Sequence, residues 1–207
     1  MKLCGFFMTI LSRPRFIPLA ALLLFGAAVA GADAPATVSA TCAACHGADG
    51  NSRDPAYPKL AGMDQEYLLR QLKAFASGKR KDETMSPVVE SLDPSEFAAL
   101  VAHFSRQKPE PGRQRKPDLA AAGKKVYEDG NSDSGVPACA GCHQPDGRGN
   151  ARFPRLAGQH PDYLLKQLMA YKSGRRATDP LMITVGQRLA PEEMRAVVEY
   201  IAGLGSE

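Results

Sequence analysis

Two copies of one short pattern constrain the fold of this chain more than any other feature. Residues 42–46 read CAACH, and residues 139–143, 97 positions further on, read CAGCH. Two cysteines followed by a histidine at this spacing form the attachment motif for a covalently bound haem. Each thiol adds to one vinyl group of the porphyrin, and the imidazole beside the second cysteine then binds the iron. The pattern therefore predicts two haem c groups, held by Cys42, Cys45, Cys139 and Cys142, with His46 and His143 as iron ligands.

The same cysteines allow a second interpretation, because an exported protein with four cysteines can carry two disulfides. That interpretation explains neither the histidine after each pair nor the longer repeat in which both motifs lie. The odd cysteine, Cys4, precedes an apolar run at the N-terminus and would be removed with a signal peptide. We therefore favour haem attachment over disulfides.

The repeat extends well beyond the two motifs. PKLAG at 58–62 matches PRLAG at 154–158, and YLLRQL at 67–72 matches YLLKQL at 163–168. A period of nearly 100 residues is too long for a solenoid unit but has the size of a small domain. The sequence therefore predicts a tandem duplication, with domain 1 at residues 31–107, a linker at 108–117 and domain 2 at 118–207.

Hydrophobic periodicity predicts an all-α fold in both domains, since no long alternating strand pattern occurs. Each domain has a middle helix, at 64–77 and at 161–173, and Asp64 is placed to cap the first. Each domain also ends in a helix opened by a proline, Pro94 or Pro191. The apolar positions expected to face inward are Tyr67, Leu68, Leu72, Phe75, Tyr163, Leu164, Leu168 and Tyr171 on the middle helices, and Phe97, Leu100, Val101, Phe104, Met194, Val197, Val198 and Ile201 on the last ones.

The helices that open the two domains are less alike. Residues 118–128 predict an amphipathic helix with Leu119, Ala122 and Val126 on one side, whereas the counterpart at 34–41 is short and weakly patterned. The linker between the domains is charged and rich in proline, so we expect it to be extended and exposed. Domains of about 80 residues often need a covalent or metal staple, so we expect neither half to fold stably without its haem.

The N-terminus has the pattern of an export signal. Lys2, Arg13 and Arg15 precede an apolar run at 16–30 that ends in the small residues AVA. This pattern predicts a signal peptide at 1–30 with cleavage after Ala30, and Ala32 is a second candidate for the cleavage site. The alternative is an uncleaved membrane anchor, but about 15 apolar residues fall short of the ~20 needed to span a bilayer. Export fits haem attachment, which takes place outside the cytoplasm.

The charge of the predicted mature chain is nearly balanced. Residues 31–207 hold 23 Lys and Arg against 22 Asp and Glu, so the basic excess typical of nucleic-acid binding is missing. Residues 31–110 carry 9 basic and 11 acidic side chains, and residues 111–207 carry 14 and 11. This asymmetry predicts a dipole that could orient the molecule on charged redox partners.

Each motif supplies only one axial ligand, so the sixth position of each iron must come from elsewhere. Among the methionines and the two remaining histidines, only Met85 and Met182 occupy matching places in the repeat, each 39 residues after its haem histidine. An isolated methionine is usually core filler, but the matched spacing favours ligation. We expect both to lie in loops after the middle helices. His/Met ligation raises the reduction potential and leaves no open position at iron, which favours outer-sphere electron transfer over catalysis.

These motifs, the PxLAG segments, the YLxxQL helices and the paired methionines resemble those of the dihaem cytochrome c4 family over essentially the whole mature chain. The resemblance implies two class I cytochrome c domains packed about a pseudo-twofold axis, and a periplasmic carrier with at most peripheral membrane association. It implies electron transfer from a cytochrome bc complex or another donor to a terminal oxidase. It also implies that Pro58 and Pro154 hold the haem histidines, and that Gly123 and Tyr200 mark a helix crossing. In domain 1, Phe104 fits the aromatic role, but no glycine partner is evident.

Two other functions compete with the free carrier. The first is a haem subunit fixed to a periplasmic dehydrogenase, because its motifs would look the same. The second is an enzyme such as a dihaem peroxidase, which needs an iron site that is open or can open. The paired Met85 and Met182 argue against that enzyme.

Overall fold

The computed structural model describes Met1 and residues 35–205 of the chain. The predicted signal peptide at 1–30 and its cleavage site lie outside the described residues, apart from Met1. Within the described part, the chain is all-α, and its β-structure is limited to a single bridge between Asn131 and Val136. The helices are α1 (Ala43–His46), α2 (Gln65–Ala76), α3 (Met85–Glu90), α4 (Phe97–Ser105), α5 (Pro117–Asp129), α6 (Ala140–His143), α7 (Pro161–Lys172), α8 (Pro180–Arg188) and α9 (Pro191–Gly203).

Two shorter helical turns complete domain 1. A π-helical turn, Val38–Cys42, runs directly into α1, and a 3-10 turn, Pro94–Glu96, leads into α4. No helix among the described residues is long and apolar enough to cross a membrane.

The middle helices α2 and α7 lie where the sequence predicts them. The Asp64 carboxylate accepts hydrogen bonds from the backbone N–H groups of Glu66 (2.8 Å) and Tyr67 (3.3 Å), as an N-cap should. After the last turn, Gly78 and Gly174 take the left-handed conformation, with φ of +69° and +73°, that glycine adopts at least cost. The predicted starts and stops of these helices are therefore confirmed.

The last helices, α4 and α9, contribute much of the buried hydrophobic core of the two halves. All eight of their predicted inward positions are buried. In domain 2, α9 is crossed at close range by α5, because Gly123 has no side chain. A Cβ at Gly123 would lie 2.0 Å from the carbonyl oxygen of Ala196 and 3.0 Å from the Tyr200 Cβ. The helix crossing at Gly123 and Tyr200 is therefore confirmed.

One predicted position on α5 is wrong. Ala122 is exposed, and the buried face runs through Gly123, Val126 and Tyr127. The reason is the close contact with α9, which centres the buried face of α5 on Gly123. Ala122 is one residue away, about 100° around the helix, and so points outward.

Domain 1 fills the matching space in another way. Val38, in the π-helical turn, is 1% exposed and packs in a cluster with Leu100, Val101 and Phe104. The Phe104 ring also lies against Gly50, where a Cβ would come within 2.9 Å of it. The glycine contact of Phe104 thus comes from the loop after the haem motif instead of from the first helix.

The linker has no regular secondary structure at 108–116, and its residues alternate between exposed and half-buried. It is nevertheless fixed to both halves. On the domain 1 side, the Asn51 amide donates to the carbonyl of Lys108 (3.0 Å) and accepts from the N–H of Glu110 (2.8 Å). On the domain 2 side, the Glu199 carboxylate accepts from the N–H groups of Arg115 (2.7 Å) and Lys116 (3.0 Å).

Glu199 thereby satisfies backbone donors just before α5, which the N-cap residue Lys116 cannot do with its own side chain. Its side chain reaches them from α9 and is only 3% exposed. The linker therefore lacks regular secondary structure, but hydrogen bonds anchor it to both domains, and it is less exposed than expected.

The two halves meet through matched arginines. Arg80 of domain 1 is buried and donates to Gln71 Oε1 of its own half (2.9 Å). Its Nη2 crosses the interface to the Tyr163 hydroxyl (3.0 Å) and to Gln167 Oε1 (3.1 Å). The guanidinium lies 4.5 Å above the ring of Phe75, a cation–π contact that offsets part of the cost of burying the charge.

Arg176 of domain 2 repeats this arrangement in the opposite direction. It is buried, donates to Gln167 Oε1 of its own half (2.7 Å), and lies 4.7 Å above the ring of Tyr171. Its Nη2 crosses to the Tyr67 hydroxyl (3.2 Å) and to Gln71 Oε1 (3.0 Å). The reciprocal contacts of the two arginines follow the pseudo-twofold relation between the domains.

Candidate functional site

A cavity of about 740 Å³ has lining residues from both halves of the molecule. All eight residues that the sequence predicts for haem attachment and iron ligation line it: Cys42, Cys45, His46, Met85, Cys139, Cys142, His143 and Met182. The eight predicted apolar positions of α2 and α7 line it as well. Matched residues from both copies of the repeat therefore line one continuous cavity.

Each haem motif lies on a short helical turn, formed by α1 or α6. On a helix, residues three and four positions apart share one face, so both thiols and the imidazole point to the same side. None of the four motif cysteines is paired in a disulfide, so all four are available for attachment to haem. Burial raises the pKa of the Cys139 thiol to about 11. Burial also raises the pKa of Cys42, with a further contribution from Glu96.

The two motif histidines have the same environment. The Nδ1 atom of His46 lies 2.9 Å from the carbonyl oxygen of Pro58, and that of His143 lies 3.0 Å from the carbonyl oxygen of Pro154. Because a carbonyl can only accept, Nδ1 carries the proton and Nε2 keeps the lone pair that a metal needs. The proline contacts implied by the family resemblance are present in both halves.

Burial favours the neutral imidazole in both places. His46 and His143 are 7% and 6% exposed. Burial lowers the pKa of each, and the bond to the proline carbonyl, which acts in the opposite direction, does not reverse this. A neutral imidazole is the form that binds iron.

The expectation that both methionines lie in loops is wrong. Met85 is the first residue of α3, and Met182 is the third residue of α8. The cause is an aspartate three positions before each methionine. Asp82 Oδ1 accepts the Met85 N–H (3.1 Å), and Asp179 Oδ1 accepts the Met182 N–H (3.0 Å). Such side-chain contacts stabilise a helix start, so a helical turn forms where a loop was expected.

The other histidines are engaged elsewhere. His103 Nε2 lies 2.8 Å from the carbonyl oxygen of Ala48, and His160 Nε2 lies 2.9 Å from that of Ser52. Neither is among the residues that line the cavity. Both therefore have structural roles and are poor candidates for the sixth ligand.

Three further methionines, Met63, Met169 and Met194, have no methionine at the matching position of the repeat, which argues against them as ligands. Met169 and Met194 do not line the cavity, and Met169 is 52% exposed. Met63 does line it, but it also packs in the domain 1 core, and its counterpart in domain 2 is Gln159. Met85 and Met182 remain the only matched pair of methionines along the lining.

The cavity suits a large apolar group with anionic edges. Most of its lining is apolar, as a porphyrin requires. Its basic side chains outnumber its acidic ones: Arg70, Arg80, Arg152, Arg155, Lys166 and Arg176 against Glu66, Asp82 and Asp179. Arg155 Nε is a buried donor without a hydrogen-bond partner among the described residues. An unpaired buried donor beside the cavity fits the carboxylates of a haem.

Two matched pairs of residues have roles at the site that the sequence alone did not predict. The first is the pair of aspartates, Asp82 and Asp179, that fix the methionines. Their signal was the pattern DxxM, which occurs in both halves at the same offset as the haem motifs. The second is the pair of interface arginines, Arg80 and Arg176. Their signal was the repeated SG[KR]R segment at 77–80 and 173–176.

Comparisons with known proteins agree with this geometry. A protein-family model described as cytochrome c matches residues 31–107 and again residues 120–205. The chain is 40% identical over 188 residues to cytochrome c4 of Pseudomonas aeruginosa, covering 87% of this chain and 93% of that one. It is also 37% identical over 201 residues to a thiosulfate dehydrogenase electron acceptor of Thiomonas intermedia, covering 91% of this chain and 93% of that one.

A solved structure matches as well. The crystal structure of reduced recombinant cytochrome c4 from Pseudomonas stutzeri has a TM-score of 0.78 at 40% identity, covering 83% of this chain and 98% of that one. The cofactors are therefore two covalently bound haem c groups, one for each motif. With two cytochrome c domains, paired motifs and relatives that span nearly its whole length, the chain belongs to the cytochrome c4 family of dihaem electron-transfer proteins.

Proposed function

We propose that this chain is a periplasmic carrier that shuttles single electrons in a respiratory chain, from a cytochrome bc complex or another donor to a terminal oxidase. The observation that carries the proposal is the matched set of a buried histidine and a methionine on the same cavity in each half. Two matched sites of this kind suit a carrier that takes up one electron at each iron.

The proposed ligand sets are His46 with Met85 in domain 1 and His143 with Met182 in domain 2. When bound, haem supplies a one-electron Fe(II)/Fe(III) couple, and a His/Met pair places that couple at a high potential. The proline carbonyls orient the imidazoles, and the aspartates hold the start of each methionine helix. If His46 and Met85, and likewise His143 and Met182, hold the iron, no ligand position would be open, and the site would favour electron transfer without bond chemistry at iron.

The arrangement of the halves supports transfer between the two sites. Both line one cavity, and so do Arg80 and Arg176, which form hydrogen bonds across the two domains. Fixed hydrogen-bond partners on both sides reduce the structural change that accompanies a change in charge. We therefore expect an electron that enters through one domain to reach the other without dissociation of a partner.

The periplasmic location rests on the N-terminal pattern and on the site of haem attachment. Residues 1–30 combine basic residues, an apolar run and a small-residue cleavage site. The redox partners would be a donor complex and a membrane oxidase, which is consistent with a peripheral membrane association. Nucleic acid is not an expected partner, since the mature charge is close to neutral.

A second candidate function is electron acceptor or haem subunit of a periplasmic dehydrogenase. The observation that favours it is the similarity to the Thiomonas intermedia protein, which is named as an electron acceptor of thiosulfate dehydrogenase. The haem motifs are the same in both cases and do not separate them. The difference lies in the donor.

A stopped-flow experiment with the mature holoprotein separates the two functions. The oxidised protein is mixed with a reduced cytochrome bc complex or with thiosulfate dehydrogenase and thiosulfate, and the reduced protein is mixed with oxidase-containing membranes. Fast reduction by the bc complex and fast oxidation by the membranes supports the respiratory carrier. Reduction by the dehydrogenase alone, or purification in a fixed complex with it, supports the second function and refutes the first.

A further inference from the structure

The aspartates that hold the two methionines have different surroundings. Asp82 and Asp179 each accept the N–H of the methionine three residues on, at 3.1 and 3.0 Å. In Asp82 the second oxygen, Oδ2, also accepts from the Lys166 ammonium group at 2.8 Å. Lys166 lies on α7, so this ion pair joins the methionine segment of domain 1 to the middle helix of domain 2.

The Asp82 segment is held tightly as a result. Its Oδ1 accepts from the N–H groups of Thr84 and Met85, each at 3.1 Å, and its own N–H donates to the Ser86 hydroxyl at 3.0 Å. The Asp82 side chain is 22% exposed, so the ion pair is partly shielded from water. These contacts fix Asp82 on both sides, and Lys166 is the one that comes from the other domain.

Asp179, the counterpart of Asp82 in domain 2, has no such ion pair with domain 1 among the described residues. The counterpart of Lys166 in the repeat is Arg70. Arg70 Nη2 donates to the carbonyl oxygen of Arg152 at 3.0 Å and forms no ion pair with Asp179 in the described part of the chain. Within residues 35–205, an ion pair from the other domain to the aspartate of a methionine segment is therefore present in one direction only.

We propose that Lys166 is a positioning residue for Met85, so that docking of domain 2 holds the methionine ligand of the first haem in place but not the reverse. The inference rests on the proposed ligation by Met85 and Met182. Removing the Lys166 charge frees Asp82 Oδ2 and loosens the start of α3. Met85 should then yield its place at iron more readily to an added ligand, while Met182 should be unaffected.

The experiment uses the holoprotein with one methionine site closed. In a Met182→His background, histidine occupies the second iron, and the single remaining thioether-to-iron absorption band reports Met85. Imidazole is titrated in, and the loss of that band gives its apparent affinity for the first haem. The reciprocal Met85→His background reports Met182 in the same way. A background without any such band would contradict the ligand assignment itself, which separates failure of the proposed function from failure of this inference.

Lys166→Met is then introduced in both backgrounds. We expect imidazole affinity to rise about two- to fivefold at the first haem, the size expected for a half-exposed ion pair, and to stay unchanged at the second. Lys166→Arg keeps the charge and should restore the original affinity. Asp82→Asn keeps the bond to the Met85 N–H but loses the charge, so it should reproduce Lys166→Met without adding to it in the double variant.

Arg70→Met is the matched control, because it removes the corresponding side chain of the other half. In the Met85→His background, this variant should leave imidazole affinity at the second haem unchanged, because Arg70 forms no ion pair with Asp179 among the described residues. Equal affinities before and after Lys166→Met, an equal rise at both haems, or the same rise with Arg70→Met would each overturn the inference.

Discussion

The two halves of this molecule have matched sites on unmatched supports. In domain 2, α5 crosses α9 at Gly123, and a separate loop then leads to the haem motif. In domain 1, the π-helical turn Val38–Cys42 runs straight into α1, and Val38 fills the core. Yet the distances from the histidine Nδ1 to the proline carbonyl, and from the aspartate to the methionine N–H, agree within 0.1 Å between the halves.

This difference shows which features the haem chemistry requires. The imidazole, its carbonyl partner and the methionine segment keep the same geometry in both halves, as the proposed ligation of iron by histidine and methionine requires. The first helix only has to cover the site, and either a close helix crossing or a valine-filled turn achieves that. The first helices of the two domains can therefore differ, whereas the residues proposed to bind iron keep the same geometry.

The charged residues beside the haem motifs also differ between the halves. Arg155 lines the cavity, and its Nε has no hydrogen-bond partner in the part of the chain that the structure describes. Its counterpart Lys59 donates to the linker carbonyls of Glu110 (3.2 Å) and Pro111 (3.0 Å). A positive charge beside a haem favours the reduced iron, which carries less positive charge. We therefore expect two unequal reduction potentials from two similar ligand sets.

Replacing each methionine with alanine tests whether the two iron sites are equivalent. Met85→Ala and Met182→Ala should each abolish one of two thioether-to-iron absorption bands near the red edge of the visible spectrum, because each is proposed to supply the sulfur ligand of one iron. The measurement is the spectrum of the ferric holoprotein. Survival of both bands in either variant would contradict the assignment, and loss of both bands in one variant would show that the sites depend on each other.

Gly123→Ala tests the difference in the supports. The new Cβ would lie 2.0 Å from the Ala196 carbonyl oxygen, so α5 and α9 must move apart at a cost of about 1–3 kcal/mol. Gly141→Ala is the control, because nothing lies within 4 Å of a Cβ there and domain 1 already has Ala44 at the matching place. Denaturant unfolding of the holoprotein measures both. A loss of stability no greater for Gly123→Ala than for Gly141→Ala would contradict the close crossing.

The matched pair Arg155→Met and Lys59→Met tests the electrostatic difference. Removing Arg155 should lower the potential of the second haem by about 20–50 mV, since the group is half-buried and faces the cavity. Lys59→Met should change the first haem less, because Lys59 is bonded to the linker. A redox titration of each variant gives both shifts. An equal shift, or a larger one with Lys59→Met, would refute the expected order.

His160 makes a pH-dependent contact with the carbonyl of Ser52 in the other domain. Its counterpart in the repeat, Asp64, caps α2 instead. His160 faces Lys59, Asp54 and Asp162. Burial lowers the pKa of His160 below its ordinary 6.5, and Lys59 adds to this, while the Ser52 carbonyl and both carboxylates oppose it.

The folded protein therefore prefers neutral His160, and this contribution to stability is present above pH 6.5 and is lost as the pH falls through the lower folded pKa. His160→Gln should make the unfolding free energy of the holoprotein less dependent on pH in that window. Denaturant midpoints measured across the window test this, and an unchanged pH dependence would contradict it.

The sequence was sufficient for features that depend on local pattern. Asp64, Gly78 and the prolines Pro94 and Pro191 mark helix ends that the structure has within a residue or two. The repeat alone singled out Met85 and Met182, both of which line the cavity. Local signals suffice there because caps, turns and ligand spacing are set by neighbouring residues.

Features that depend on how the halves dock could not be read in the same way. Arg80 is 83 positions from its partner Tyr163, and Arg176 is 109 positions from its partner Tyr67. The capping of the linker end by Glu199 is similarly distant, at 84 residues from Arg115. The exposure of Ala122 follows from the approach of α9 to Gly123, which no pattern within α5 specifies.

A spectroscopic redox titration of the mature holoprotein examines both the matched ligands and the unequal surroundings in one experiment. We expect two haems, both low-spin with thioether-to-iron bands in the ferric state, that reduce in two one-electron steps with distinct midpoint potentials. A high-spin ferric haem would contradict the matched closed sites, and two identical midpoints would contradict the effect of Arg155 on the second haem.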